Sequence, residues 1–338
     1  TPDADFSLRR EYDNGGDQPL TGLYADIRNI SLSPFISNGA YRDYNVSAGI
    51  DASVKGKSID LMEGWLNVKD FHLSNNHDNR HLDLDLVNIS SAIKDSIRTV
   101  SAAGGPINLS LQGDFTFPHL VKDMKQLTAK IFPSLLPNGH GSENISTHAD
   151  LHLTINPDTA ISRFFKLPVE VIHPIKLEAS TNDKDNMARL LLSAPYLKQK
   201  DKLIEETSLT AAIDANDSTC HVGFSTLVPT KNGQLDLRIK STGADDRIAT
   251  DINWRIDRKA EFSGDISFVS SFSRDDDNAL LTDIKVAPGK VVFNDSIWNV
   301  TPAEITVNPG RINISNLGAS RSGQTLAING VAGVDSLS

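Results

Sequence analysis

His72, His77 and His81 fall close together beside Asp78 and Asp83, the densest grouping of metal-capable side chains in the sequence. Zinc takes imidazole and carboxylate ligands in a tetrahedron, and its sites pair those ligands at short, regular intervals. The spacing here fits no such site, and Ser74 to Arg80 reads as a solvated hairpin tip. Surface histidines are the expectation, and no metal or other cofactor is implied. A catalytic serine is approached most nearly at Gly318 to Gly323, where Ser320 would be the nucleophile. Ser322, however, stands where that motif demands a second glycine, and no helix follows. The acidic stretches Asp275 to Asp277 and Asp214 to Ser218 lack the glycine and distal glutamate of a calcium loop, so they read as turns. The chain is expected not to be an enzyme.

Composition narrows the partners. The 338 residues carry a net charge of −10, with apolar residues at 39% and charged residues at 22%. That balance suits a folded protein rather than a disordered one. No Lys/Arg cluster offers the basic stripe that phosphate backbones require, so no nucleic acid is expected as a partner. Cys220 is the one cysteine, which rules out an internal disulfide. No run of 18 apolar residues occurs. The pattern stops mid-phrase near Gly330 to Val334, as expected of a fragment of a longer protein.

Position of the side chains is set by the dominant signal, alternation of apolar and polar residues, which puts every second side chain on one face of a sheet. It runs through Leu82-Leu84-Leu86, Ile107-Leu109-Leu111, Leu151-Leu153-Ile155, Leu209-Ala211-Ile213, Leu235-Leu237-Ile239, Ile252-Trp254-Ile256, Ile305-Val307, Ile312-Ile314 and Leu326-Ile328. Tight-turn signals separate the runs at Asn232-Gly233, Gly243 to Asp246, Asp275 to Asn278, Pro288-Gly289, Pro309-Gly310 and Ser322-Gly323. Short strands with tight turns and few helices imply an antiparallel meander, almost pure β after residue 169. Trp254 lies in phase with Ile252 and Ile256, which sets it on the apolar face rather than in a sugar platform with Trp65 and Trp298. Asn-x-Ser/Thr triplets at Asn29, Asn45, Asn88, Asn108, Asn144, Asn216, Asn294, Asn299 and Asn313 mostly reflect the polar phase of the same alternation.

Three segments break the β pattern. Residues 90–100 carry Ile93, Ile97 and Val100 at helical spacing. Residues 118–132 carry Leu120, Met124, Leu127 and Ile131 between Pro118 and Pro133, and residues 157–166 carry Ile161, Phe164 and Phe165. Short amphipathic helices are stable only against an apolar surface, so these are expected to pack on the sheet.

Leu109 to Leu120, continuing to Ile131-Phe132-Pro133-Ser134-Leu135-Leu136-Pro137, resembles the strand, short helix and Phe-Pro-x-Leu phrase of Bacteroidetes-type TamB-like proteins. Val291 to Val300, with Asp295-Ser296-Ile297-Trp298-Asn299-Val300, then Ile305 to Val307, Gly310 to Ile314 and Gly323 to Gly330, resembles a recurring β-ladder phrase of the same translocation and assembly module family. Leu20 to Leu73 is similar to a generic AsmA-like repeat. The resemblance implies a mainly β fold, an elongated curved antiparallel sheet of the β-taco kind. Its U-shaped apolar groove would carry phospholipid acyl chains between inner and outer membranes. It further implies the periplasm of a Gram-negative bacterium, an inner-membrane anchor in the full-length protein, and contact with a BamA/TamA-like barrel through regions absent here.

A sheet with one greasy face must cover it, and curling around a trough is one solution. On this reading the groove is lined by Leu151, Leu153, Ile155, Leu235, Leu237, Ile239, Ile252, Trp254, Ile256, Ile312, Ile314, Leu326 and Ile328. Residues 1–168 form a β-repeat region with short helices and residues 169–338 a β-taco-like meander, or the two make one continuous domain. The competing expectations are a surface β-sandwich adhesin or glycan-binding module, and a polysaccharide-processing enzyme on a β-solenoid. The latter would need paired carboxylates that no spacing marks out.

Overall fold

The computed structural model describes residues 5–13, 20–35, 42–56, 62–75, 77, 80–137, 147–231, 233–256 and 262–333. Among them are twenty-two strands and two short helices, in a mainly β antiparallel fold. After the second helix the described elements are strands only. The chain divides into two compact units: Thr1–Phe117 with His148–Glu178 and Leu197–Lys200, and Pro118–Thr147 with Ala179–Tyr196 and Asp201–Ser338. No helix among the described residues is long and apolar enough to cross a membrane.

In the first unit, β1 (Asp5–Asp13), β2 (Leu20–Ser31), β3 (Tyr44–Lys55), β4 (Glu63–Asn75), β5 (His81–Lys94), β6 (Ile97–Gly104), β7 (Ile107–Asp114) and β8 (His148–Ile155) pair in sequence order. The helix expected over 90–100 is instead the β5–β6 hairpin. Asp95 and Ser96 take positive φ (50° and 66°) and make a two-residue turn whose twist suits a hairpin. That turn spaces Ile93 and Ile97 four apart, imitating a helix while placing them on opposite faces.

The two other expected helices are present: α1 (Phe117–Ile131) and α2 (Thr159–Phe164). Asp158 caps α2 by accepting from the backbone N–H groups of Ala160 (2.7 Å) and Ile161 (3.0 Å). Phe164 then enters a closed cluster in the first unit with Tyr44 and Leu82, its ring edge-on to Tyr44 at 5.4 Å. Arg80 donates to the Phe164 carbonyl (3.0 Å) and lies over the Tyr44 ring. Two-stranded pairing of β9 (Glu170–Val171) with the end of β11 (Met187–Gln199) completes this unit, and β10 (Ile175–Asn182) precedes β11.

The second unit holds β12 (Lys202–Asp214), β13 (Thr219–Thr230), β14 (Gly233–Ala244), β15 (Arg247–Ile256) and β16 (Phe262–Arg274), again paired in order. β17 (Leu280–Val286) and β18 (Gly289–Phe293) both pair with β16, at opposite ends of it. β19 (Ser296–Val300), β20 (Ala303–Asn308), β21 (Arg311–Arg321) and β22 (Gln324–Gly333) extend the ladder. Asn232 of the expected Asn232-Gly233 turn lies outside the described residues. The turns at Asp245-Asp246 and Ser322-Gly323 have positive φ at both residues, as a two-residue hairpin turn requires.

Bulges occur in β2 between Ile27 and Ile30, in β4 beside Ser47 and Gly49, in β12 between Glu205 and Ser208, and in β21 between Ile314 and Leu317. Each contains a left-handed residue, Asn29, Asp70, Glu206 and Asn316 respectively. A bulge inserts one extra residue and bends its strand. In β2 and β21 the partner strand serves the bulge: Ser47 accepts from the Asn29 N–H (2.8 Å) and Asn329 from the Asn316 N–H (2.6 Å).

Phe164 is a fully buried ring of the first unit. Replacing Phe164 by Ala should cost about 3 kcal/mol or more in urea denaturation, as for other buried phenylalanines. A loss below about 1 kcal/mol would show that α2 does not hold this cluster together.

Candidate functional site

Register converts the alternation into continuous rows, because residues directly opposite one another project from the same face. In the first unit one row reads Leu23, Ala52, Leu66, Ile89, Ala102, Leu109, Leu153 from β2 to β8. Its neighbour reads Leu8, Ala25, Ile50, Val68, Val87, Gly104, Ile107, Ile155. Leu151 joins the same face through Leu111 and Val100. In the second unit Leu209, Phe224, Ile239, Ile252 and Ile266 form one row across β12 to β16. Leu237, Trp254, Gly264, Val291 and Trp298 form the next, and Leu235, Ile256, Phe262 and Phe293 a third. Ile284, Ile305 and Ile314 carry the face on to β21. Ile312 is opposite Val307, and Leu326 and Ile328 are opposite Ala319 and Leu317.

These rows are only partly covered. Leu151, Leu153, Ile155, Leu235, Leu237, Ile239, Ile252, Trp254 and Ile314 are half-buried, and Ile256 is buried. Ile312, Leu326 and Ile328 are exposed, Leu326 at 63%. Among the described residues the fully buried large apolar side chains are Tyr44, Leu82, Phe115, Leu127, Ile131, Phe132, Phe164 and Ile256. All but Ile256 lie in a helix, beside one, or in the cluster that Phe164 completes. Strand neighbours shield the flanks of a side chain; covering its tip takes a second layer, and among the described residues the helices and the segments beside them supply it.

In the second unit that local layer is α1 and the segment after it. Leu127 packs on Ala188, Ala215 and Ile213. Phe132 rests over Gly243, where an added Cβ would come within 2.5 Å of its ring, and meets Phe272 edge-on at 6.0 Å. Ile213, Cys220 and Gly243 are consecutive members of one row, so Phe132 lies at the margin of the apolar face, next to the hairpin turns. The Ile131 carbonyl accepts from the Asp246 N–H (2.9 Å), Asp246 accepts from the Ser134 N–H and hydroxyl, and Arg274 donates to the Ser134 carbonyl. The segment is thereby tied to two hairpins.

Its sequence stripe is rotated from expectation. Met124 is exposed, whereas Asp123 and Gln126 are buried with Leu127 and Ile131. Asp123 earns that place by accepting from the Thr147 N–H (3.0 Å) and hydroxyl (2.8 Å). Nothing in hydrophobic periodicity signals such a bond.

The residues singled out for chemistry are dispersed in other roles. His72 stands opposite Asp83 and pairs with it, and His81 approaches Asp83 at 3.7 Å. Among the described residues no group of three such side chains could hold a metal ion; Asp78 lies outside them. Ser320 is a strand residue opposite Thr325. Asp275 accepts from the N–H groups of Asp277 and Ala279, and Asp214 from that of Asn216, so both acidic stretches close their own turns. Asn45 is buried and donates to Asn29 (2.8 Å), while Asn144 lies outside the described residues.

Trp254 owes its position to Gly264, where an added Cβ would fall within 2.1 Å of the indole. The ring also sits 6.2 Å from Phe262. Burial pushes the Cys220 thiol above its ordinary pKa, partly opposed by the Gly243 N–H that donates to it.

No protein-family model, no curated protein and no solved structure matches the chain.

Gly264→Val should expel the Trp254 indole from its seat, seen as a red shift of tryptophan emission; unchanged emission would refute the seat. Cys220, neutral when folded, should alkylate more slowly at pH 8 in the native chain than in urea. Because its folded pKa is the higher one, its contribution to stability is full below the unfolded value and is lost as pH rises through the folded value. Equal alkylation rates would contradict the burial.

Proposed function

We propose that the chain is a non-catalytic segment of a cell-envelope protein that holds phospholipid acyl chains along the apolar face of its sheet. In this reading it works as the TamB and AsmA-like proteins it resembles, moving lipid between inner and outer membranes and supporting outer-membrane assembly. It would act in the periplasm of a Gram-negative bacterium, with the anchor and the contact to an outer-membrane barrel supplied by other parts of the full-length protein. The sheet would curl into a U-shaped groove with these rows inside.

The observation that supports this is the continuity of half-buried apolar rows across many strands, with a second layer, among the described residues, only at the helices. An enzyme would concentrate polar groups at one point. Here the repeated unit is apolar area, which holds an acyl chain at about 0.8 kcal/mol per buried methylene whatever its register along the strands. A surface of equivalent apolar steps suits a ligand that slides. The opposite face, with Arg238, Lys240, Asp251, Asn253 and Arg255 exposed, stays in water.

Lipid extraction and mass spectrometry of the purified chain should find phospholipid. Leu237→Arg, which sets a charge between Thr226 and Trp254 in the middle of the rows, should lower it severalfold with the far-ultraviolet circular dichroism unchanged. Wild-type chain free of lipid, or a variant that carries as much as wild type, would overturn the proposal.

A further inference from the structure

The other face of the first unit is built differently over β1 to β4. Arg9 is opposite Tyr24, Tyr24 is opposite Asp51, and Ser53 is opposite Trp65, so these side chains project together, away from the apolar rows. Gly22 and Gly49 occupy positions on the same face, opposite Ser53 and Asp26, and leave the floor low between longer side chains. Two adjoining cavities of about 670 Å³ and 430 Å³ open there and share Tyr24 and Asp51. Each lies in the range of small-molecule sites.

Two aromatic rings stand in this furrow with polar cross-strand neighbours, and Leu20 lies in phase with Tyr24 along the same cavity. Trp65 (37% exposed) has Ser53 and Ser90 as its cross-strand neighbours, and Tyr24 (52% exposed) has Arg9 and Asp51. Core packing does not account for rings in that setting, since the apolar rows project from the opposite face. Two strands and one alternation separate them, which at about 4.8 Å per strand and 3.4 Å per residue places their Cα atoms roughly 12 Å apart. Two ion pairs neutralise part of the fixed charge, Arg9 with Glu11 and Arg28 with Asp26, and Asp13, Asp51 and Asp70 against Lys69 leave an excess of carboxylates. Among the described residues no cationic cluster lines the furrow to select a phosphate or a carboxylate. Flat rings at the spacing of a short chain, a small-residue floor and carboxylates able to accept from hydroxyl groups fit a ligand with apolar C–H faces and a hydroxylated rim.

We propose that this furrow binds a neutral oligosaccharide, with Trp65 and Tyr24 stacking on sugar rings and Asp51, Ser53 and the Arg9–Glu11 pair hydrogen-bonding to hydroxyl groups. The site lies on the face opposite the apolar rows, so it stands or falls independently of lipid carriage.

Calorimetric titration and saturation-transfer NMR of the whole chain with tetra-N-acetylchitotetraose and with cellotetraose test it. At least one tetrasaccharide should bind saturably. Trp65→Ala and Tyr24→Ala should each weaken binding about tenfold or more, as for aromatic anchors at other interfaces. Trp65→Phe should restore part of it, while Tyr196→Ala, an exposed tyrosine elsewhere, should bind as wild type; circular dichroism checks that each variant folds. Absence of binding by either sugar at about 10 mM would overturn the proposal. So would wild-type affinity in Trp65→Ala, or an equal loss in Tyr196→Ala.

Discussion

Everything in this fold follows from a sheet that is apolar on one face and that, among the described residues, carries a second layer at the helices alone. Backbone pairing satisfies the polar groups of the main chain whatever the side chains are. Apolar area is another matter: strand neighbours shelter the flanks of a leucine, and its tip stays open unless something is laid on it. The helices do this at two places, Phe164 over Tyr44 and Leu82, and Leu127 with Phe132 over the row of Ile213, Cys220 and Gly243. Elsewhere the rows from Leu23 to Leu153 and from Leu209 to Ile266 remain half-covered. Stability is thus spread along ladders of local hairpins rather than gathered in one large core.

The bulges reconcile a long alternating sequence with a face that must stay continuous. Strict alternation would put Ile314 and Leu317 on opposite faces. The extra residue at Asn316, left-handed and braced by Asn329, keeps both in rows of the apolar face, with Ile314 opposite Ile305 and Leu317 opposite Ile328. Asn29 does the same for Ile27 and Ile30. Asn and Asp inside a strand are therefore structural signals, since their short polar side chains tolerate the left-handed region better than β-branched residues do. Each bulge also bends its own strand.

The two faces of the first unit show how one sheet can carry two unlike surfaces. Side chains alternate strictly, so the aliphatic rows and the furrow of Tyr24 and Trp65 share strands without sharing atoms. A ligand on one face meets backbone, not side chains, of the other. This separation lets chemistry on the polar face vary while the apolar face stays intact.

Alternation and turn chemistry determined the mainly β antiparallel class and the apolar phase of Leu235-Leu237-Ile239 and Ile252-Trp254-Ile256, and helical spacing between prolines determined the helices at 118–132 and 157–166. These are local properties: a side chain's face depends on its own strand, and a proline or a capping aspartate acts on adjacent backbone. Tertiary structure decided the rest. Ile93 and Ile97 became a hairpin because Asp95 and Ser96 could take positive φ and pair the flanking strands. α1 buried Asp123 in place of Met124 because Thr147, 24 residues away, bonds to it. Which residues stand opposite one another, and so which rows exist and what lies over them, is fixed by register between distant segments, and no pattern within a single strand contains that information.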